Sequence, residues 1–411
     1  MRVLLLGILY IAPVIDSFTG YFMGISGNDN NISKVYRMVS FSTLYLLCIC
    51  KSKENQIVKQ ILLTCILGIY LLYYAVLSGK VLTDSSYIMK LFYPIILTVA
   101  LKVMYIRREI TNMDINKVID FYSVFYPICI LVPTVFGVGH SAYGSNNGYM
   151  GFFSGGNEIS IVLGMLFMIN VQKIYTTLEN KKTIVYAIIT GFTLVMTQTK
   201  TSYIIVLLTL LLFVYKKMRK FHRSIGKNMA MLLLISICIV AFSYIQREQI
   251  VIMIDRLTFK YHQLGDSFIN MLFSNRQNKI IPILKENYTP DIKGVANFIF
   301  GKGFYAQVLE SKLNGYTVGL VEMDLFDVLF QNGILILCII IHFYWKIMKL
   351  GIESGDIFLA LTYVMALLFS TFAGHVLYNP LSSTVLAILS VYVYANSNKC
   401  VNEIKNQLKV M

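Results

Sequence analysis

Three arginines, Arg247, Arg256 and Arg276, stand in residues 246–321, the one long polar stretch of a chain otherwise built from apolar runs. A second set of ionisable residues lies within those runs or at their edges: Asp16, Arg37, Lys90, Glu158, Lys200, Asp324 and His375. Charged groups placed in hydrocarbon are costly, and where they occur they usually line a cavity or a pathway. Other chemistries find no support in the residue pattern. The five histidines, at positions 140, 222, 262, 342 and 375, have no paired ligand spacing, so no zinc site is indicated. No Asp-x-Asp pair is present to hold a metal on a sugar nucleotide. Gly301-x-Gly303-x-x-Ala306 has the outline of a dinucleotide fingerprint but lacks the strand–turn–helix setting, so it reads as a tight turn. What remains is charge-based chemistry with no metal and no cofactor, at a polar site.

The elements that must position these residues are membrane helices. Of 411 residues, 56% are hydrophobic and 14% charged, and the mean hydropathy is +0.65. A soluble domain carries roughly a quarter charged residues. Apolar runs approaching the ~20 residues needed to cross a bilayer recur along the chain. Spans are expected near 3–23, 36–50, 57–79, 87–106, 117–138, 158–174, 182–199, 201–215, 229–245, 322–345, 356–374 and 380–397. The seventh and eighth can also be read as one long bent helix across Gln198–Thr201. The expected fold class is an all-α polytopic membrane protein of about 12 transmembrane helices with one large loop. Residues 1–245 form the first nine helices, 246–321 the loop, and 322–411 the last three helices and a tail.

The net charge of +15 suggests nucleic acid until its distribution is considered. Lys216, Lys217, Arg219, Lys220, Arg223 and Lys227 crowd one connection; Lys102, Arg107, Arg108 and Lys117 surround another; Lys173, Lys181 and Lys182 mark a third. These are alternate connections, as cytoplasmic loops require. Both termini and the tail are therefore expected in the cytoplasm and the 246–321 loop outside, with no nucleic-acid partner. The first span begins like a signal peptide, with Arg2 before an apolar run, but runs past Asp16 without a small-residue cleavage site and reads as a retained helix. None of the seven cysteines lies in the loop, so packing must hold it.

In this orientation Arg37, Lys90, Glu158, Lys200, Asp324 and His375 fall at the outer ends of their spans, and Asp16 in the outer half of its own. Singly, each can snorkel to the interface. As a set they indicate a polar site opening to the outer face. Within the loop, Ile254, Leu257, Tyr261, Leu264 and Phe268 follow helical spacing, with Arg256, Lys260 and Gln263 on another face, predicting a surface helix over 250–272. Ser274-Asn275-Arg276, a helix broken at Pro282 and the Phe300-Gly301-Lys302-Gly303-Phe304 turn follow it.

Taken in order, these signals resemble a family. Gly155-Gly156-Asn157-Glu158 heads a span, Thr197-Gln-Thr-Lys-Thr-Ser202 joins two, and Ser274-x-Arg276 lies in the large loop. The Gly301–Gly303 turn, Glu322-Met-Asp324-Leu-Phe-Asp327 and Gly374-His375 come after. From about residue 150 onward the chain is similar to the O-antigen polymerase and O-antigen ligase superfamily of bacterial surface polysaccharides. The resemblance implies a membrane-embedded, GT-C-like glycosyltransferase of the cytoplasmic membrane, independent of metal. It takes a glycan linked to undecaprenyl pyrophosphate and transfers it, at the outer face, to an acceptor hydroxyl. It implies pyrophosphate binding by Lys200 and Arg276, with Arg256 and Arg247 as secondary cations, and a general base at His375. Glu158, Asn157, Glu322, Asp324, Gly301 and Gly303 are carried over as supporting residues. Membrane lipids, a chain-length regulator and a flippase are the partners such an enzyme would have.

That chemistry is physically sound. Breaking the anomeric C–O bond leaves a pyrophosphate whose charge rises in the transition state, and preorganised cations stabilise such charge. Arginine's planar fork suits two phosphate oxygens, and histidine titrates near neutrality. Each residue also has a structural alternative: Arg276, Arg256 and Arg247 as headgroup anchors, His375 as an interface histidine, Glu158 and Asp324 as helix-terminus acids. The ligase branch carries arginine where Lys200 stands, and lysine is a point charge rather than a fork, which favours a polymerase. The rival readings are a ligase that uses another acceptor and a polysaccharide flippase. Flippase-type transporters are built from repeated halves with short loops, which this chain does not show.

Overall fold

The computed structural model describes residues 1–26, 32–51, 54–142, 148–176, 181–220, 267–313, 320–374 and 376–397, with 251, 254–255, 258–259, 261–263 and 265. Among the described residues, eight helices precede the loop: α1 (Arg2–Ser26), α2 (Ile32–Lys51), α3 (Glu54–Ser78), α4 (Val81–Ile106), α5 (Asn112–Val135), α6 (Gly156–Thr176), α7 (Lys181–Met196) and α8 (Lys200–Lys220). A short antiparallel pair, β1 (His140–Ser141) and β2 (Tyr149–Gly151), sits between α5 and α6. The loop contributes α9 (Phe268–Phe273), a 3-10 turn (Arg276–Lys279), α10 (Ile280–Asn287), α11 (Ile292–Phe300) and α12 (Phe304–Leu313). Three further helices follow among the described residues: α13 (Asp324–Glu353), α14 (Ile357–Ala373) and α15 (Pro380–Ala395).

Apart from 229–245, which lies outside the described residues, every expected span falls on a helix. Six of the described helices (α1, α2, α4, α5, α6 and α13) are long and apolar enough to cross a membrane. The protein is a multi-pass, all-α membrane protein. The α7–α8 junction is a true break, because Gln198 adopts a left-handed φ of 51° and a new helix starts at Lys200. The surface helix expected over 250–272 is interrupted. Gly265 turns the chain with φ 74°, and the Ser267 hydroxyl, accepting from the Asn270 N–H, caps a separate helix. Gly265-Asp266-Ser267 is the turn signal that the apolar periodicity concealed.

α15 lies at the centre. Residues Leu381–Tyr394 are all buried, packed against α4, α6, α13 and α14, and the hydroxyls of Ser382 and Ser390 bond to backbone carbonyls. The ion pairs Arg2–Asp114, Lys173–Asp120 and Lys216–Asp356 join the starts of α1, α5 and α14 to the ends of α6 and α8. They define one end of the bundle. The starts of α4, α13 and α15 meet at the other end, and there the loop segment docks.

α13 carries the hinge of that docking. Gly333 (φ 71°, ψ 177°) breaks the helical geometry, separating a polar first segment, 324–332, from a largely apolar second one, 334–353. The span expected over 322–345 therefore has two parts with different surroundings. Ile283 of α10 packs with Val321, Met323 and Phe330, and Tyr288 lies against Phe298 and Phe330. Burial pushes the Tyr288 phenol up from its ordinary value. Gly301 (φ 75°) lies so close to α13 that a Cβ there would sit 2.3 Å from the Gln331 carbonyl oxygen. A Cβ on Gly333 would in turn sit 2.2 Å from the Ile299 carbonyl oxygen. The N–H groups of Lys302 and Gly303 donate to the Phe330 and Gln331 carbonyls, and the Tyr74 hydroxyl to those of Phe300 and Gln331. Gly301 and Gly303 thus form a tight turn locked into a kinked helix.

Candidate functional site

Arg276 follows two successive non-glycine residues in left-handed conformation, Ser274 (φ 54°) and Asn275 (φ 64°). Such backbone costs on the order of 1–3 kcal/mol per residue and persists only where the surroundings impose it. Here the Ser274 and Asn275 N–H groups both donate to the Asn270 carbonyl, closing α9, and Phe273 packs against Phe372 at the end of α14. The reversal brings the half-buried Arg276 to Glu322. Nε and Nη2 of Arg276 lie 3.1 and 2.9 Å from one Glu322 oxygen. Glu322 is itself left-handed (φ 64°), and its N–H and that of Val321 donate to the Asp327 carboxylate at 3.0 and 2.9 Å.

Asp324 continues the chain of contacts. Its Oδ2 accepts from the Val376 and Leu377 N–H groups and from the Ser370 hydroxyl, each at 2.8 Å. Gly374 (φ 68°) lies against Glu322, where a Cβ would meet the Glu322 carbonyl oxygen at 2.1 Å. The acidic run 322–327 therefore holds Arg276 on one side and the backbone on both sides of position 375 on the other. His375 lies outside the described residues, as do Arg247 and Arg256.

A second neighbourhood forms where α6 begins and the α7–α8 turn passes. Ser160 Oγ lies 2.9 Å from Thr197 Oγ1 and 2.8 Å from Thr199 Oγ1, and Thr199 Oγ1 accepts from the Ser202 N–H at 3.1 Å. Gln198 Oε1 accepts from the Gly148 N–H. These bonds fix the turn and set Lys200, half-buried, at the N-terminus of α8. Glu158 folds back over Gly155, whose notional Cβ would lie 2.0 Å from Glu158 Oε2, and Asn157 is half-buried in the same first turn. That placement puts a carboxylate at the positive end of α6.

Between α4, the first segment of α13 and the turn into α15 lies a cavity of about 200 Å³ lined by Tyr87, Lys90, Asp324, Asp327, Gln331 and Tyr378, with Leu320, Asn379 and Pro380. Arg37 lies one step away, across Tyr93. Its Nη2 bonds to Asp16 and its Nη1 to Thr384 Oγ1 at 2.7 Å, so this buried pair does not snorkel. Asp327 entered the sequence reading only as the end of a motif, and Gln331 and Tyr378 did not enter it. A signal did exist: Asp324, Asp327 and Gln331 stand at i, i+3 and i+7, one polar helical stripe at the mouth of an apolar run.

Residues 1–247, more than half of the 411, match the model of the family described as O-antigen ligase like membrane proteins. The chain belongs to that family. Membership makes it a membrane glycan-processing enzyme of the glycosyltransferase type, acting on lipid-linked polysaccharide. The O-antigen ligase-like match covers α1–α8, including the Gly155–Glu158 and Thr197–Ser202 motifs; Arg276, Glu322, Asp324 and Gly374 lie beyond it. No curated protein and no solved structure matches the chain.

Proposed function

We propose that this O-antigen ligase-like protein is a polymerase of surface-polysaccharide repeat units, transferring glycan from undecaprenyl pyrophosphate to an acceptor glycan hydroxyl at the outer face of the cytoplasmic membrane. The observation that carries this reading is the pair of contacts Arg276–Glu322 and Asp324–Val376, which ties an arginine and the Val376 backbone to one acidic segment. In the reaction, the acceptor hydroxyl loses its proton to the His375 imidazole while its oxygen attacks the anomeric carbon. The anomeric C–O bond to pyrophosphate breaks, and the electron pair leaves with the lipid pyrophosphate. Arg276 and Lys200 stabilise that growing charge, with Arg256 and Arg247 as outer cations. No step requires a metal. The loop is placed outside and both termini inside, on the alternation of basic connections. The ion-paired end of the bundle, with Lys173 and Lys216, is then cytoplasmic.

Lysine at position 200, where the ligase branch has arginine, favours the polymerase. The family description favours the second reading, a ligase that attaches finished glycan to another acceptor. Deleting the gene separates the two. A polymerase mutant leaves single repeat units on the surface and accumulates lipid-linked units. A persisting ladder of chain lengths no longer attached to the surface makes the protein a ligase. Loss of surface glycan altogether, with lipid-linked units held on the cytoplasmic leaflet, returns the flippase.

A further inference from the structure

The cavity beside Asp324 has a chemical character of its own. Gln331 is 2% exposed, lines the cavity, and its Oε1 has no hydrogen-bond partner. A buried acceptor without a donor costs roughly 1–3 kcal/mol, so a site that keeps one is shaped for something that supplies the donor. The neighbouring wall also consists largely of acceptors: the carboxylates of Asp324 and Asp327, both buried. Lys90 completes the lining, with its ammonium 4.6 Å from the Tyr87 ring centre. Two carboxylates oppose an anion, which argues against a second pyrophosphate subsite. Lys90 opposes a cation. An uncharged molecule rich in hydroxyl donors satisfies both constraints. The Tyr378 ring, its centre 6.4 Å from that of Tyr87, supplies apolar surface for the C–H face of a sugar, while Tyr87, stacked on Phe304, contributes its remaining edge to the wall. The cavity of about 200 Å³ has room for one pyranose ring, and the rest of a longer glycan would extend out through its open side.

We propose that this cavity binds the terminal sugar ring of the acceptor glycan, with Gln331 Oε1 accepting from a ring hydroxyl. The proposal rests on the transfer reaction proposed above and adds a subsite to it. The same Asp324 carboxylate that lines the cavity fixes the Val376 and Leu377 N–H groups, so a ring held there lies beside the Val376–Leu377 backbone. Gln331, Tyr87 and Tyr378 are thereby positioning and specificity residues for the acceptor.

The test uses the full-length protein in detergent, with lipid-linked repeat units as donor and a soluble acceptor oligosaccharide varied in concentration. Gln331→Ala should raise the acceptor KM about tenfold, as loss of one well-made hydrogen bond would, while the donor KM stays at the wild-type value. Tyr87→Leu, on a different helix, should do the same and covers the case in which Gln331→Ala misfolds. Saturation-transfer NMR with methyl pyranosides (glucoside, galactoside and N-acetylglucosaminide) should show at least one binding to wild type and none to either variant. Unchanged acceptor KM in both variants, equal loss of donor and acceptor affinity, or methylammonium displacing the bound pyranoside would overturn the assignment while leaving the transfer reaction standing. Wild type that binds a pyranoside, lost in both variants, but transfers no glycan would instead retain the sugar cavity and refute the function on which its acceptor role rests.

Discussion

Arg276 directs two of its five N–H donors, from Nε and Nη2, at a single oxygen of Glu322, and both ends of this pair are set by left-handed backbone. The strained turns at Ser274–Asn275 and at Glu322 fix where the guanidinium lies before any ligand arrives. Fixed placement is what charge stabilisation in a transition state requires. Arg276→Ala should lower turnover about 10²–10³-fold, the usual loss when one such donor is removed, with normal membrane insertion. Arg276→Lys should recover only part, because an ammonium cannot reproduce the planar fork. Single-turnover transfer from purified lipid-linked units measures both, and full activity in Arg276→Lys would contradict a fork-dependent role.

Asp324 is the better test of what holds the site together. Its Oδ2 gathers three donors, from Ser370, Val376 and Leu377. Asp324→Ala strands three donors in a buried setting at roughly 1–3 kcal/mol each, whereas Ser370→Ala removes a donor along with its bond, at about 1 kcal/mol. Thermal unfolding in detergent should therefore show a large drop for Asp324→Ala and a small one for Ser370→Ala. Equal shifts would mean that the carboxylate does not organise the turn.

Helices were legible in the sequence because a bilayer imposes one rule, long apolar runs, and that rule survives without tertiary information. The break at Gln198 and the kink at Gly333 were harder. Each is a φ sign at one residue, set by a neighbour far away in sequence: Gly148 bonds to Gln198, and Ile299 crowds Gly333. Glu322 and Asp324 were picked out by type, but their partners lie 46 to 53 residues away, so the contacts themselves could not be read. Arg37 and Asp16 looked like separate interfacial charges until the fold paired them.

The glycine clasp between the loop and α13 gives a stability prediction with an internal control. Gly333→Ala must place a Cβ 2.2 Å from a backbone carbonyl oxygen at φ 71°, and Gly301→Ala faces the same at 2.3 Å and φ 75°. Backbone atoms cannot step aside as a flexible side chain does, so each should release the 268–313 segment from α13. Gly7→Ala, in α1 with nothing within 4 Å of the new methyl, should be neutral or stabilising by about 0.5–1 kcal/mol. Limited proteolysis reads the outcome: rapid cleavage within 268–313 in the first two variants and none added in the third.

Asp291 predicts a local pH response. Its Oδ1 accepts from the Thr289 hydroxyl at 2.6 Å and the Gly294 N–H at 2.7 Å, and these bonds hold its carboxyl below the usual carboxylate range. Because the folded value is depressed, the cap contributes fully above the ordinary ~3.9 and is lost as pH falls through the lower folded value. Amide exchange at the start of α11 should accelerate on acidification in wild type. In Asp291→Asn the exchange should be insensitive to pH once the intrinsic rate is divided out.

The transmembrane orientation can be tested on its own, because the basic connections and the loop make opposite demands. Lys216 and Lys220 end α8 at the ion-paired end of the bundle, while Asn278 lies in the 3-10 turn beside Arg276 at the other end. Under the positive-inside rule the first end faces the cytoplasm. Donor glycans carried on a flipped lipid must then meet Arg276 from outside. Reporter fusions after Asn228 and after Asn278 should report opposite compartments, cytoplasmic for the first and external for the second. Fusions that agree would remove the crossing expected at 229–245 and put the arginine on the cytoplasmic face, where this transfer reaction would have no externally presented glycan to use.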